Sequence, residues 1–144
     1  MKPNRNWQEV LVTIKEFQER FHTFLTSLNT RKKYDETVPF MLYLKEGQLV
    51  EESGSELVDG VVTSFKTHFF RIEAIDTASN CAYMTLLKPL DLDSKLTMDL
   101  SELYRLERTF ICVELEIDKI GAVQPLSPRI INRELPIKEP VWDK

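Results

Sequence analysis

Few residues in this chain could do acid, base or nucleophilic chemistry. The 144 residues hold two histidines and two cysteines. His22 falls in a helical stretch with Glu19 at helical spacing, and His68 opens an apolar strand before Phe69 and Phe70. Neither completes a set of nucleophile, base and orienting group, so both read as structural or solvent-facing. No serine sits in a G-x-S-x-G elbow. Four glycines in all leave no phosphate-cradling loop. Asp91 and Asp93 lack the ligand number of a calcium loop. The sharpest candidate is "CVELE", where Cys112, Glu114 and Glu116 alternate with apolar residues. On a strand the two carboxylates share one face about 7 Å apart, a spacing open to a general acid/base pair. With no companion base, metal set or nucleophile in view, a solvated strand face is the simpler reading. Negative neighbours disfavour a thiolate, which makes Cys112 a poor nucleophile. Its surface position suits a contact or a cross-link between chains. Cys81 heads an apolar strand and reads as a small buried hydrophobe. Whether Cys81 and Cys112 meet in a disulfide stays open, because spacing alone cannot place their Cα atoms within reach.

These residues need a scaffold, and composition bounds it. The chain is 42% apolar, enough for a core, and its length fits one domain. Net charge is -4, without the basic stripe of a nucleic-acid binder. No run of about 18 apolar residues supports a membrane span. The N-terminal "MKPNRNWQEV" lacks the apolar run of a secretory signal, so synthesis on the cytoplasmic side is expected. Two cysteines are too few for a disulfide framework. No cofactor and no metal are expected.

Three segments follow. Residues 1–33 form an N-terminal helical segment. Trp7, Val10, Ile14, Phe17, Phe21, Phe24 and Leu28 recur at steps of three and four, widened by Leu11 and Leu25. Asn6 and Glu9 have capping-box spacing. Large rings suit a two-stranded coiled-coil seam poorly, so this face is expected to dock on a sheet or a partner subunit. Residues 34–128 read as an antiparallel β-domain. Strands are expected over 38–44, 65–75 and 81–87, the last stopped by Lys88-Pro89, and "SGSELVDG" (53–60) reads as loop. Over 110–117, Ile111, Val113, Leu115 and Ile117 face the core, while Cys112, Glu114 and Glu116 face water. Residues 129–144 form a tail carrying Pro136 and Pro140. The fold class is mainly β, an antiparallel sandwich or barrel-like domain, with an N-terminal amphipathic α-helix.

Four stretches then resemble a known family: "TVPFMLYLKEGQLVE" (37–51), "FFRIEAI" with "CAYMTLLKPLDL" (69–75 and 81–92), "LERTFICVELEID" (106–118) and "GAVQPLSP" (121–128). In order and in combination they resemble the CotY/CotZ family of bacterial spore coat proteins, which includes exosporium protein Y. The resemblance implies a structural protein made in the mother cell and deposited on the outer spore layers, where it self-assembles with itself and with other coat proteins. It also implies a cysteine-rich, disulfide-linked assembly. This chain departs from that pattern, with Lys119, Gly121 and Pro125 where the family tends to place cysteine, and a polar turn at 76–80. Heavy covalent cross-linking is therefore not expected. An adaptor that binds another coat protein without polymerising is the alternative. The surfaces expected to make contacts are the helix face (Trp7, Phe17, Phe21, Phe24) and the strand face around Cys112, Glu114 and Glu116.

Overall fold

The computed structural model describes residues 6–27 and 37–134, and of residues 21–27 the helical backbone. Among the described residues one α-helix, α1 (Trp7–Ser27), precedes seven strands: β1 (Phe40–Leu44), β2 (Glu52–Val58), β3 (Val61–Thr67), β4 (Phe70–Asp76), β5 (Cys81–Leu90), β6 (Arg105–Glu116) and β7 (Ile120–Pro125). Five strands form an antiparallel sheet in the order β6-β5-β4-β1-β7, and β2 and β3 form a separate hairpin. The expected class, mainly β with an N-terminal helix, is the observed one.

α1 starts where Asn6 accepts a hydrogen bond from the Glu9 N–H at 3.4 Å. Its apolar face lies on the sheet, not against a second helix. Leu11 and Ile14 are buried with Phe40, Phe70, Ile72 and Met84. The stripe is turned from the expected one. Phe17 is 54% exposed, and the position one residue on, Gln18, is buried instead. The Gln18 side chain earns that place by bonding backbone. Its Nε2 donates to the Ile72 carbonyl at 3.2 Å, and its Oε1 accepts from the Val38 N–H at 2.9 Å. One polar side chain thus ties the helix to β4 and to the entry of β1.

The β2–β3 hairpin covers the other half of the same sheet face, with Phe65 in the core. The sequence reading of residues 53–60 as loop is corrected here. Seven register pairs, from Glu52↔Thr67 to Val58↔Val61, make it half of a regular hairpin. Asp59 (φ 51°) and Gly60 (φ 80°) form the two-residue turn, the geometry that Asp-Gly favours. The expected single strand over 65–75 is two strands, broken at His68 and Phe69. The expected stop at Lys88-Pro89 is not one, since β5 runs on to Leu90. Pro89 lies beyond the start of β4, and its carbonyl accepts from the Thr97 N–H at 3.2 Å. Its missing donor therefore breaks no β4–β5 bond.

A smaller core lies apart from the main one. Met41, Phe69, Leu87, Leu106 and Ile131 are buried together. Ile131 bridges Leu106, and the Asn132 N–H donates to the Leu106 carbonyl at 2.8 Å. This segment covers the outer edge of β6 at its N-terminal end.

Candidate assembly surface

β6 is an end strand of the five-stranded sheet. Its alternation sets two faces. Ile111, Val113 and Leu115 pack against the main core, and Cys112, Glu114 and Glu116 are exposed on the opposite face. The ladder fixes which backbone groups are free. The Ile117 N–H donates to the Asn80 carbonyl at 2.9 Å, in register with Cys81↔Glu116 and Ala82↔Leu115. Antiparallel pairing alternates, so Leu115 and Val113 turn their N–H and C=O toward β5. Cys112, Glu114 and Glu116 then direct theirs outward. Among the described residues, no strand pairs with that edge from Arg108 to Glu116.

A bulge shapes the middle of this edge. β5 advances from Thr85 to Leu87 while β6 passes from Cys112 back to Arg108. Thr109 holds the extra residues in place. Its hydroxyl donates to the Leu86 carbonyl at 2.7 Å and accepts from the Ile111 N–H at 3.2 Å. The consequence is Phe110, whose side chain is fully exposed at 101%. Exposure still alternates across the bulge, with Thr109 buried, Phe110 exposed and Ile111 half-buried, so the bulge left no break in the sequence pattern.

The two cysteines do not meet within the chain. Both are free thiols, Cys81 buried and Cys112 exposed. Their ladder partners, Glu116 and Thr85, put them four residues apart along the strands, roughly 13 Å at the usual strand rise. That is beyond disulfide reach, so an intrachain Cys81–Cys112 bridge is not made. Glu114 and Glu116 act across the ladder on β5. At Cys81, the contact with Ser79 favours the thiolate, but burial and the two carboxylates outweigh it, and its pKa is raised. The Glu114 charge opposite Tyr83, aided by burial, likewise raises the phenol.

The remaining expected contact residues divide. Trp7 is half-buried against the main core. Phe17 stands exposed on α1. The side chains of Phe21, Phe24 and His22 lie outside the described residues. His68 has structural partners, its Nδ1 3.1 Å from the Val50 carbonyl and its Nε2 3.8 Å from Glu51. Nothing in the sequence pattern pointed to the ion pairs within and between the strands. Arg71 meets Glu73 at 2.6 Å on β4. Lys88 reaches Glu56 at 3.3 Å and so pins the hairpin to β5.

Among the described residues, no three His, Cys, Asp or Glu side chains are grouped to hold a metal. A shallow depression of about 330 Å³ between the base of the hairpin and residues 96–98 is lined by Phe65, Leu96 and Met98 with Ser53, Ser64, Lys66 and Thr97. Those walls offer no acid/base pair. No helix here is long and apolar enough to cross a membrane. What the surface offers is contact chemistry: free backbone donors and acceptors, charges of both signs and exposed apolar side chains.

Comparison with known proteins agrees. The sequence pattern of the family described as Spore coat protein Z matches residues 8–128. Spore coat protein Z of Bacillus subtilis (strain 168) is 32% identical over 114 residues, covering 74% of each chain. No solved structure matches. The chain belongs to the spore coat protein Z family, and its place is the spore coat.

Proposed function

We propose that this chain is a self-assembling building block of the outer spore layers, whether coat, crust or exosporium, with no catalytic role. It is made in the mother cell and joins copies of itself and other coat proteins through strand and helix-face contacts. One observation carries the reading: an end strand, β6, that no described strand pairs on its outer side, with Cys112, Glu114 and Glu116 exposed and Phe110 fully in solvent. Soluble proteins usually blunt such an edge, because it invites pairing with another chain. In a coat protein, controlled pairing is useful.

The test is light scattering over a concentration series, with negative-stain electron microscopy in the presence and absence of reductant. Ordered oligomers or sheets that grow with concentration and survive reductant are expected. Replacing Phe17 and Phe21 with Asp should lower the scattering mass while circular dichroism still reports the β-domain. Single particles at every concentration, in both conditions, would overturn self-assembly and favour an adaptor that anchors another coat protein.

A further inference from the structure

We propose that the tip of the β2–β3 hairpin docks on a second copy of this chain. Two copies related by a two-fold axis each seat their tip, led by Leu57 and Val62, in the depression at the base of the other's hairpin. The inference rests on the self-assembly reading and names a surface for it.

The tip is apolar in a place where burial does not require it. Leu57 and Val62 are register partners, 73% and 69% exposed, and the next pair, Val58 and Val61, is 42% and 61% exposed. Four aliphatic side chains thus stand in water around the Asp59-Gly60 turn. They do not anchor the hairpin, a task that falls to buried Phe65. A contiguous exposed apolar patch of this kind marks a contact site.

The receiving surface lies on the same face of the same hairpin. Side chains alternate along a strand, so Ser53, Ser55 and Leu57 of β2 point to one side with Val62, Ser64 and Lys66 of β3, away from the core that holds Phe65. Three of these, Ser53, Ser64 and Lys66, wall the depression of about 330 Å³, and Leu96 and Met98 complete it as exposed apolar side chains. Knob and depression are therefore four residues apart on one surface, from Leu57 to Ser53, about 13 Å at the usual strand rise.

That arrangement selects a second copy as the occupant. A copy turned about a two-fold axis through the Ser55/Ser64 pair brings its tip over the first copy's depression and offers its own depression to the first tip. Both contacts form in one encounter, so the second adds burial without a second loss of rigid-body freedom. The middle of the face is low. Ser55 and Ser64 lie 3.2 Å apart, oxygen to oxygen, and leave room for the two hairpins to approach. Charge agrees with this pairing. Asp59 in the tip turn and Lys66 at the depression are both exposed, and among the described residues neither is in an ion pair. Seating the tip carries Asp59 toward the partner's Lys66. An unrelated partner would need a knob and a depression at this same spacing, and a copy already has both. The area is small beside the roughly 1,200 Å² of a standard interface, so the joint is a reversible one.

Light scattering on the full chain reads the association. Leu57→Asp puts charge on the knob and Met98→Asp puts it in the depression, and each should weaken association at least tenfold. Both side chains are exposed, so the urea midpoint should hold. Leu92→Asp, at an exposed leucine that does not line the depression, should leave association unchanged. Cross-linking reads the pairing itself. In chains carrying Cys81→Ala and Cys112→Ser, Leu57→Cys and Ser53→Cys proteins are treated with a bismaleimide shorter than the spacing between the two positions. A mixture of the two should cross-link at least tenfold faster than either protein alone. A chain carrying both new cysteines should stop at a covalent dimer of twice 16.9 kDa, and a ladder of longer products would overturn the two-fold exchange. Equal cross-linking by the mixture and by the single proteins would overturn the inference. So would association that grows with concentration yet is untouched by Leu57→Asp and Met98→Asp, and that result leaves self-assembly standing. A chain that stays monomeric at every concentration would remove both.

Discussion

At Thr109, one hydroxyl keeps the exposed edge of β6 in shape. It is 5% exposed and serves both the Leu86 carbonyl and the Ile111 N–H. Thr109→Val keeps the shape and removes both bonds, leaving a buried donor and acceptor unmatched. A loss of about 1–3 kcal/mol in urea unfolding is expected. Phe110 fluorescence is too weak to report the local change, so amide exchange at Ile111 is the second readout, and it should speed up. A neighbouring effect is electrostatic. Glu114 holds the Tyr83 phenol above its ordinary range, and burial adds to this. Because the folded value is the raised one, the stability linked to Tyr83 is complete below the unfolded-state pKa. It is lost as pH rises through the folded value. Glu114→Gln removes the main cause. The ultraviolet titration of Tyr83, read against a Tyr83→Phe control, should move to lower pH. An unchanged curve would mean that burial alone sets the shift.

The hairpin and the helix show which elements the sequence made legible. Strict alternation over residues 110–117 announced a half-buried strand, and the burial of β6 follows it. Trp7 to Ile14 likewise announced an amphipathic helix. The β2–β3 hairpin was hidden because Ser53, Gly54 and Ser55 have low strand propensity. The pattern there serves packing. Gly54 is buried opposite Phe65 because a side chain would not fit: an added Cβ would lie 2.7 Å from Ile111 Cδ1 and 2.8 Å from Phe65 Cζ. Gly54→Ala must therefore displace the tip of Ile111 and the Phe65 ring, and a destabilisation of about 1–3 kcal/mol is expected by thermal or urea unfolding. The Gln18 position was illegible for a similar reason. Its burial depends on backbone groups of Ile72 and Val38, distant in sequence, which no local period reveals. Of the candidate surface, the wet face of Cys112, Glu114 and Glu116 was legible from alternation. Its open edge was not, since strand order is a property of the whole sheet.

Across the whole molecule, burial is divided between a large core beneath α1 and the hairpin and a small one closed by residues 126–131. The small core does more than add stability. By seating Ile131 beside Leu106, it places the following Asn132 N–H on the Leu106 carbonyl and covers the outer edge of β6 at its N-terminal end. Ile131→Ala tests this division. Ile131 is 7% exposed, so truncation should cost about 2–4 kcal/mol in urea unfolding. The loss should also be local in hydrogen exchange. The Asn132 and Leu126 amides, bonded to Leu106 and Pro39, should exchange faster relative to global unfolding than amides paired between β4 and β5. Unchanged exchange at those two amides would mean that this segment opens only with the whole fold.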